Sequence, residues 1–499
     1  MTVNAFHRLA MLGALACLAL LTLRIHGTMS LAEPLQVISS GDEESSLFAL
    51  WKFLQGEPIY KSRFAEPFSN IGYNWLFYQA YGAAAKAGLQ ALSLDAAWIP
   101  TLGRCLTLAG SLVIALVCHR LFARLLPLPG AGAAALAFGI FLGAGPLIGF
   151  WAVTVRPDIW GFALEVSAIA VFLRFYPSRK WLALAGFVAL AYASWSFRQT
   201  NVFAIGAVGL FFLLRRQWVM AGALTAAMIG LWALTLAAGS EAYRSAMLFL
   251  NYPLVPSVSH GLQILAGNVA LKSPPTLFLL AGLALSLAAK PALIRQALGS
   301  DAVLLALCGT LASGAISLPT SMHTGASENY FFLFSFYLCL LALALLGELA
   351  RLNPASLSLA LGFGGAGWLV LAFSVGLVLA GFQGSLGLRG QHADTKAIMA
   401  CSERLPRPLF IDSPTHSLPW ITPGTTPYVL SYIFKQERQM GRAFEHDGIG
   451  GLIAKGKFAT LILGKSVESF DGAALDGFEK AAIDCAGLYV YVRKSAKEN

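Results

Sequence analysis

The sequence predicts an all-α polytopic membrane protein of about eleven transmembrane helices, followed by a small α/β region at the C-terminal end. Three observations lead there. Hydrophobic residues make up 57% of the 499 positions and charged residues only 12%, with a mean hydropathy of +0.67. Apolar runs of about 18 to 22 residues recur, each able to cross the roughly 30 Å hydrocarbon core. Beyond residue 382 the runs shorten and acids and bases nearly balance.

Taken in order, the expected spans are 9–26, 98–117, 131–150, 158–175, 181–197, 202–214, 219–238, 276–289, 302–318, 330–347 and 356–382. The first follows a short basic leader, His7 and Arg8, and ends at Arg24-Ile25-His26 without a small-x-small cleavage site, so it reads as an uncleaved span. The run 73–92 is long enough to cross, yet it carries Lys86 and bunches its aromatics at one end. Charge decides its place. If it lies in the interface, the loops holding Arg120, Arg124, Arg174, Arg179, Lys180, Arg215, Arg216, Lys290, Arg295 and Arg351 share the side of Arg8. With Asp301 and Glu348 subtracted, that face is strongly positive and therefore cytoplasmic. The runs 45–54 and 73–92 then become juxtamembrane helices in the first outer loop. The chain is expected in the plasma (inner) membrane, N-terminus inside, with residues 1–382 as a membrane domain and 383–499 as an extracytoplasmic domain.

In that tail, β-type segments at 408–411, 458–463 and 488–492 alternate with helical patterns at 395–404, 429–439 and 473–482, the rhythm of a small α/β unit. Cys401 and Cys485 are the two cysteines of the tail. An oxidising exterior permits a bridge between them, and two separate buried thiols account for them equally well. The other five, Cys17, Cys105, Cys118, Cys308 and Cys339, lie in or at the ends of apolar runs with no CxxC or Cys/His spacing, which argues against structural zinc. A formal net charge of +10 without a basic patch interleaved with aromatics reflects loop bias and excludes a nucleic-acid partner.

The polar features converge on the outer face. Ser40-Gly41-Asp42-Glu43-Glu44 places three acids side by side in a charge-poor chain, where an ionised carboxylate must face water, a cation or a reacting hydroxyl. Glu44 is expected to be the exposed, solvated member. Further along stand Arg156-Pro157-Asp158, Ser196-Phe197-Arg198-Gln199-Thr200, the loop 240–276 with Lys272, and His323-Thr324-Gly325-Ala326-Ser327-Glu328-Asn329-Tyr330. Each has a plainer reading: an acid loop can be solvated, Arg156 and Arg198 can anchor span ends, and Asp158 can complement a helix amino terminus. Glu165 shares the Asp158 face within an apolar run and is expected to point into the bundle.

Asp42-Glu43, a following amphipathic helix with Trp51, then Gln55-Gly56 and Tyr60, resembles the first outer loop of the GT-C superfamily of polyprenyl-phosphate-dependent glycosyltransferases. The nearest branch is that of protein O-mannosyltransferases and lipid A aminoarabinose transferases, with the bacterial glycosyltransferase family 39-like members. Arg156-Pro157-Asp158 resembles the second acidic motif of that group, Arg198-Gln199-Thr200 its basic-Gln-Thr motif, and Gly325 with Asn329-Tyr330-Phe331 a Gly…Asn-Tyr-Phe motif; the similarity runs from about residue 9 to 347. The chain departs from many relatives in having Asn70-Ile71-Gly72-Tyr73 where they carry a Pro-Pro pair. The resemblance implies an inverting transfer from a polyprenyl-phosphate sugar to a hydroxyl of a lipid, glycan or protein. Asp42 would act as base, Glu43 would orient it or hold a divalent cation, Asp158, Glu328, Asn329 and Tyr330 would meet the acceptor, and Arg156, Arg198 and Lys272 the donor phosphate. No other cofactor is implied, and no complete oxygen-ligand set for a metal is legible. A transporter or flippase of lipid-linked sugars, or a non-catalytic subunit of envelope-glycan assembly, is the rival reading, but it lacks a visible inverted repeat.

The charge-derived topology makes a direct prediction. Ser469→Cys is expected to react with a membrane-impermeant maleimide in intact cells; protection there until lysis would reverse the orientation.

Overall fold

A computed structural model describes residues 1–29, 43–69, 71–248, 256–288, 290–323, 325–381, 385–413, 415–425, 428 and 431–494. Its helices are α1 Val3–Thr28, α2 Glu43–Gln55, α3 Trp75–Leu92, α4 Ile99–Leu125, α5 Ala131–Ala144, α6 Asp158–Phe175, α7 Lys180–Phe197, α8 Phe203–Leu214, α9 Trp218–Ala238, α10 Glu241–Leu248, α11 Val258–Gln263, α12 Pro274–Ala288, α13 Pro291–Gly299, α14 Asp301–Ser321, α15 Phe332–Leu352, α16 Leu357–Ala380, α17 Ser385–Ser402, α18 Ser431–Gln439 and α19 Gly448–Ala454. A helix lies within each expected span range and within each of the two juxtamembrane runs. Stretches within α1, α4, α9, α14, α15 and α16 are long and apolar enough to cross a membrane, while α5, α8 and α12 are apolar but shorter. The run 131–150 is the one that breaks: the helix stops at Ala144, Gly145 is extended, and a short 3₁₀ turn, Gly149–Val153, leads toward Arg156.

Small residues let the helices approach closely, the means by which packing stands in for a hydrophobic drive inside lipid. A Cβ on Gly139 of α5 would collide with the Ala115 carbonyl of α4, and one on Gly367 of α16 would meet the Pro274 carbonyl of α12. Trp368 of α16, fully buried, fills the space over Gly13 of α1. Large apolar side chains left exposed, such as Trp218, Leu234, Phe373 and Leu377, mark surface that only hydrocarbon would cover without cost.

The segment between α1 and α4 is held from both sides. Asn74 caps α3 through its Oδ1 (2.8 Å to the Trp75 N–H), donates from Nδ2 to the Trp195 carbonyl at 2.9 Å, and receives the Tyr243 hydroxyl at 2.7 Å. The helix α2 is buried from Glu43 to Leu50 instead of lying half-immersed at a surface, because Leu418 and Ile421 of the C-terminal region close over it together with Ile71, Phe77 and Tyr78.

The C-terminal α/β region contains β1 Leu409–Ile411, β2 Thr460–Leu463, β3 Ser469–Phe470, β4 Ala473–Ala474, β5 Phe478–Lys480 and β6 Tyr489–Arg493. The sheet order is β1-β2-β6-β5, with β1 parallel to β2 and the other pairings antiparallel, and β3-β4 forms a separate hairpin. The expected helix at 473–482 is instead β4 and β5: the apolar spacing of Ala473, Leu475 and Phe478 fits either state, and pairing of 478–480 with β6 decides for strand. Cys401 and Cys485 form a disulfide with Cα atoms 5.6 Å apart, tying α17 to the segment before β6.

The loop 62–69 is embedded in this region. Phe68, at φ 56°, is buried among Tyr428, Phe434 and Phe444 with ring centroids 5.9, 5.6 and 5.7 Å away. Around it, Arg63 pairs with the buried Glu437 at 2.7 Å, Glu66 pairs with Lys457 and accepts from the Tyr428 hydroxyl, and the Glu445 N–H reaches the Phe64 carbonyl at 2.8 Å. Phe68→Ala is expected to cost about 3 to 5 kcal/mol of packing, read as a lowered Tm and faster proteolysis of the C-terminal region.

Candidate active site

The acid triplet is where α2 begins. Asp42 lies outside the described residues; Glu43 and Glu44 form the first turn of α2. Glu43 is fully buried and its carboxylate is gripped by Arg104 of α4 through two parallel hydrogen bonds, Nε at 3.1 Å and Nη2 at 3.0 Å. The Val155 N–H adds a third at 2.8 Å, and the Arg104 Nη1 donates to the Thr28 carbonyl at the end of α1. Charge-assisted, bidentate bonds of this kind are among the strongest available to a side chain. The expectation that Glu44 is solvated is corrected: it is buried, and the Thr415 hydroxyl donates to its Oε1 at 2.8 Å. The loop at 412–425 folds over α2, which no local pattern around residue 44 could indicate.

The segment after Val155 supplies the second group. Asp158 is the first residue of α6 and sits at the positive end of its dipole, but its carboxylate also has side-chain partners. Arg156 Nε donates to Oδ2 at 3.2 Å, Arg198 Nη1 donates to Oδ1, and Asn329 Nδ2 donates to Oδ1 at 2.7 Å. Two guanidinium groups against one carboxylate leave this cluster with one net positive charge. Its roof is aromatic: Arg156 lies over Trp151 at 4.4 Å, and Arg198 over Tyr330 at 4.8 Å.

The third group is the turn Glu328–Phe331, which opens the helical stretch into α15. Consecutive residues there face three partners. Glu328 pairs with Lys272 at 3.0 Å and accepts from Ser327, Asn329 reaches Asp158, and Tyr330 underlies Arg198. All the predicted residues among those described are thus assembled: Asp158, Arg156, Arg198, Asn329 and Tyr330 in one cluster, Lys272 and Glu328 beside it, and Glu43 behind Val155. Glu165 does point inward, and its Oε1 accepts the Ala204 N–H at 3.1 Å, capping α8 from a neighbouring helix.

Several polar atoms in this region are buried without a partner among the described residues, the acceptors Asn329 Oδ1 and Gln199 Oε1 among them. Buried acceptors left open are costly unless something else satisfies them. Among the described residues both Glu43 oxygens are committed to Arg104 and Val155, and no group of three or more His, Cys, Asp or Glu side chains gathers. Arg104 was not anticipated, although a single charge within the run 98–117 was the available signal.

Crystal structures of ArnT from Cupriavidus metallidurans carry the same arrangement of chain. The one bound to undecaprenyl phosphate aligns over 97% of this chain and 98% of its own, with a TM-score of 0.57 at 12% identity. The chain shares the ArnT fold. The apo ArnT structure aligns equally well, at TM-score 0.57 and 12% identity over 96% and 97% of the two chains. No protein-family model and no curated protein sequence matches. The ArnT fold and the apolar helices together make this a multi-pass membrane protein.

Arg104→Ala strands a buried carboxylate and is expected to destabilise by about 3 to 5 kcal/mol. Arg104→Met combined with Glu43→Leu is expected to recover much of that loss. Thermal unfolding of the detergent-purified variants tests both; equal losses in the two would show that packing, not charge, holds this point.

Proposed function

We propose that the chain is an inverting glycosyltransferase that moves one sugar from a polyprenyl-phosphate donor to a hydroxyl of a lipid, glycan or protein acceptor. The reaction takes place on the non-cytoplasmic face of the plasma membrane. The observation that carries this reading is the positively charged Asp158 cluster, joined through residues 328–330 to Lys272 and linked through Val155 to Glu43 at the start of α2, within an ArnT fold. ArnT itself has been crystallised with undecaprenyl phosphate, which supports a lipid phosphate as the donor's carrier.

In the proposed reaction the acceptor hydroxyl attacks the anomeric carbon, the glycosidic C–O bond to phosphate breaks, and its electron pair leaves with the polyprenyl phosphate. The hydroxyl proton passes to a carboxylate. Asp42 takes that role in this reading, because Glu43 next to it already has three donors on its two oxygens and serves to hold the loop. Arg198 gives one N–H to Asp158 and retains others, since a guanidinium has five; with Arg156 and Lys272 it stabilises the charge that develops on the leaving phosphate. Asp158, with its oxygens bonded to both arginines, sets their geometry. Asn329 Oδ1, with Glu328 and Tyr330 beside it, offers an acceptor for a substrate hydroxyl.

The decisive assay incubates purified protein with a panel of polyprenyl-phosphate sugars and follows free polyprenyl phosphate by mass. Asp42→Asn is expected to lose about 10²- to 10⁴-fold in rate with unchanged donor binding and Tm. Glu43→Gln is expected to lower Tm as well as rate. Full activity in Asp42→Asn, Glu43→Gln and the double variant would remove the mechanism.

A further inference from the structure

A cavity lies between α2, the loop that follows it and the C-terminal region. Its volume is about 340 Å³, and it is lined by Phe48, Trp51, Lys52, Glu57, Lys61 and Thr425 among others. Lys52 is 2% exposed, and its ammonium has one hydrogen-bond acceptor among the described residues, the Ile59 carbonyl at 3.0 Å. A buried ammonium can donate three hydrogen bonds, and it is costly to hold without an opposite charge. Thr425, 7% exposed, carries a buried hydroxyl with no partner among the described residues. Lys61 lines the same space, so two cations face one carboxylate, Glu57, and the walls keep one net positive charge. The Phe48 and Trp51 rings lie 6.0 Å apart and within 15° of parallel, giving the cavity a flat apolar wall.

We propose that this cavity binds the anionic group, phosphate or carboxylate, of a saccharide on the acceptor side of the site. This rests on the transferase reading above. Two ammonium groups and a hydroxyl donor suit an oxyanion, an aromatic wall suits the C–H face of a sugar ring, and the volume is that of a small-ligand pocket. Position along α2 supports the acceptor side: Lys52 is nine residues beyond Glu43, about 13 Å along a helix. An anion on one ring of an oligosaccharide can sit at Lys52 while a hydroxyl two or three rings away reaches the start of α2. Burial, with the charge of Lys61 adding to it, pulls the Lys52 ammonium down to about 8, and Glu57 pulls the other way. An anion binds the protonated form, so affinity is full below that value and is lost as pH rises through it.

The test is a binding titration of the purified full-length protein with glucuronate, glucose and inorganic phosphate, with no polyprenyl donor present. It therefore stands or falls apart from whether transfer occurs. Glucuronate is expected to bind about tenfold more tightly than glucose, and Lys61→Gln, an exposed change that leaves Lys52 and its carbonyl in place, to erase that preference. The preference should also fade between about pH 7 and about pH 9.5. Equal binding of glucuronate and glucose, or an unchanged preference in both Lys61→Gln and Lys52→Gln, would overturn the proposal. Inorganic phosphate binding as tightly as the best sugar would overturn its saccharide part, and displacement of glucuronate by a short-chain polyprenyl phosphate would move the cavity to the donor side.

Discussion

The Glu43–Arg104 ion pair is the constraint on which the rest of the candidate site depends. Neither partner is more than 1% exposed, so each is tolerable only because the other is there. One carboxylate joins the start of α2 to α4, and through the Val155 N–H it also fixes the chain immediately before Arg156 and Asp158. Through Arg104 the same unit reaches the Thr28 carbonyl at the end of α1. The start of α2 and the arginine cluster are thus placed by a single buried group, not by two independent loops.

Charge in the neighbouring cluster follows the same rule. Asp158 is surrounded by donors from α6's own approach, from the end of α7 and from the turn before α15. A carboxylate shared between two guanidinium groups holds both planar forks in place while leaving an excess of positive charge. Residues 328–330 are the efficient part of the design: three consecutive side chains reach Lys272, Asp158 and Arg198 because the 3₁₀ turn points successive residues in different directions.

The C-terminal region does more than follow the bundle. Thr415 reaches Glu44, Leu418 and Ile421 cover α2, and Phe68 is embedded among Tyr428, Phe434 and Phe444. It therefore closes over α2 and the loop that follows it, and Gly424 and Thr425 complete the wall of the cavity at Lys52.

The helices were legible in the sequence because an apolar run is a local property, and length against the bilayer is a strict measure. Several buried charged residues were legible as candidates too: Asp158, Glu165, Arg198 and Glu328 are ionisable groups in or beside apolar runs, where charge is rarely without a partner or a task. What only the tertiary structure decided was partnership. Glu43 meets Arg104 across 61 positions and Val155 across 112, Asp158 meets Asn329 across 171, and Glu44 meets Thr415 across 371. No periodicity carries such pairings. The same limit explains the segment at 473–482, where helix and strand fit the local spacing equally and pairing with β6 settled the choice, and Glu44, whose burial comes entirely from a loop that folds back from the other end of the chain.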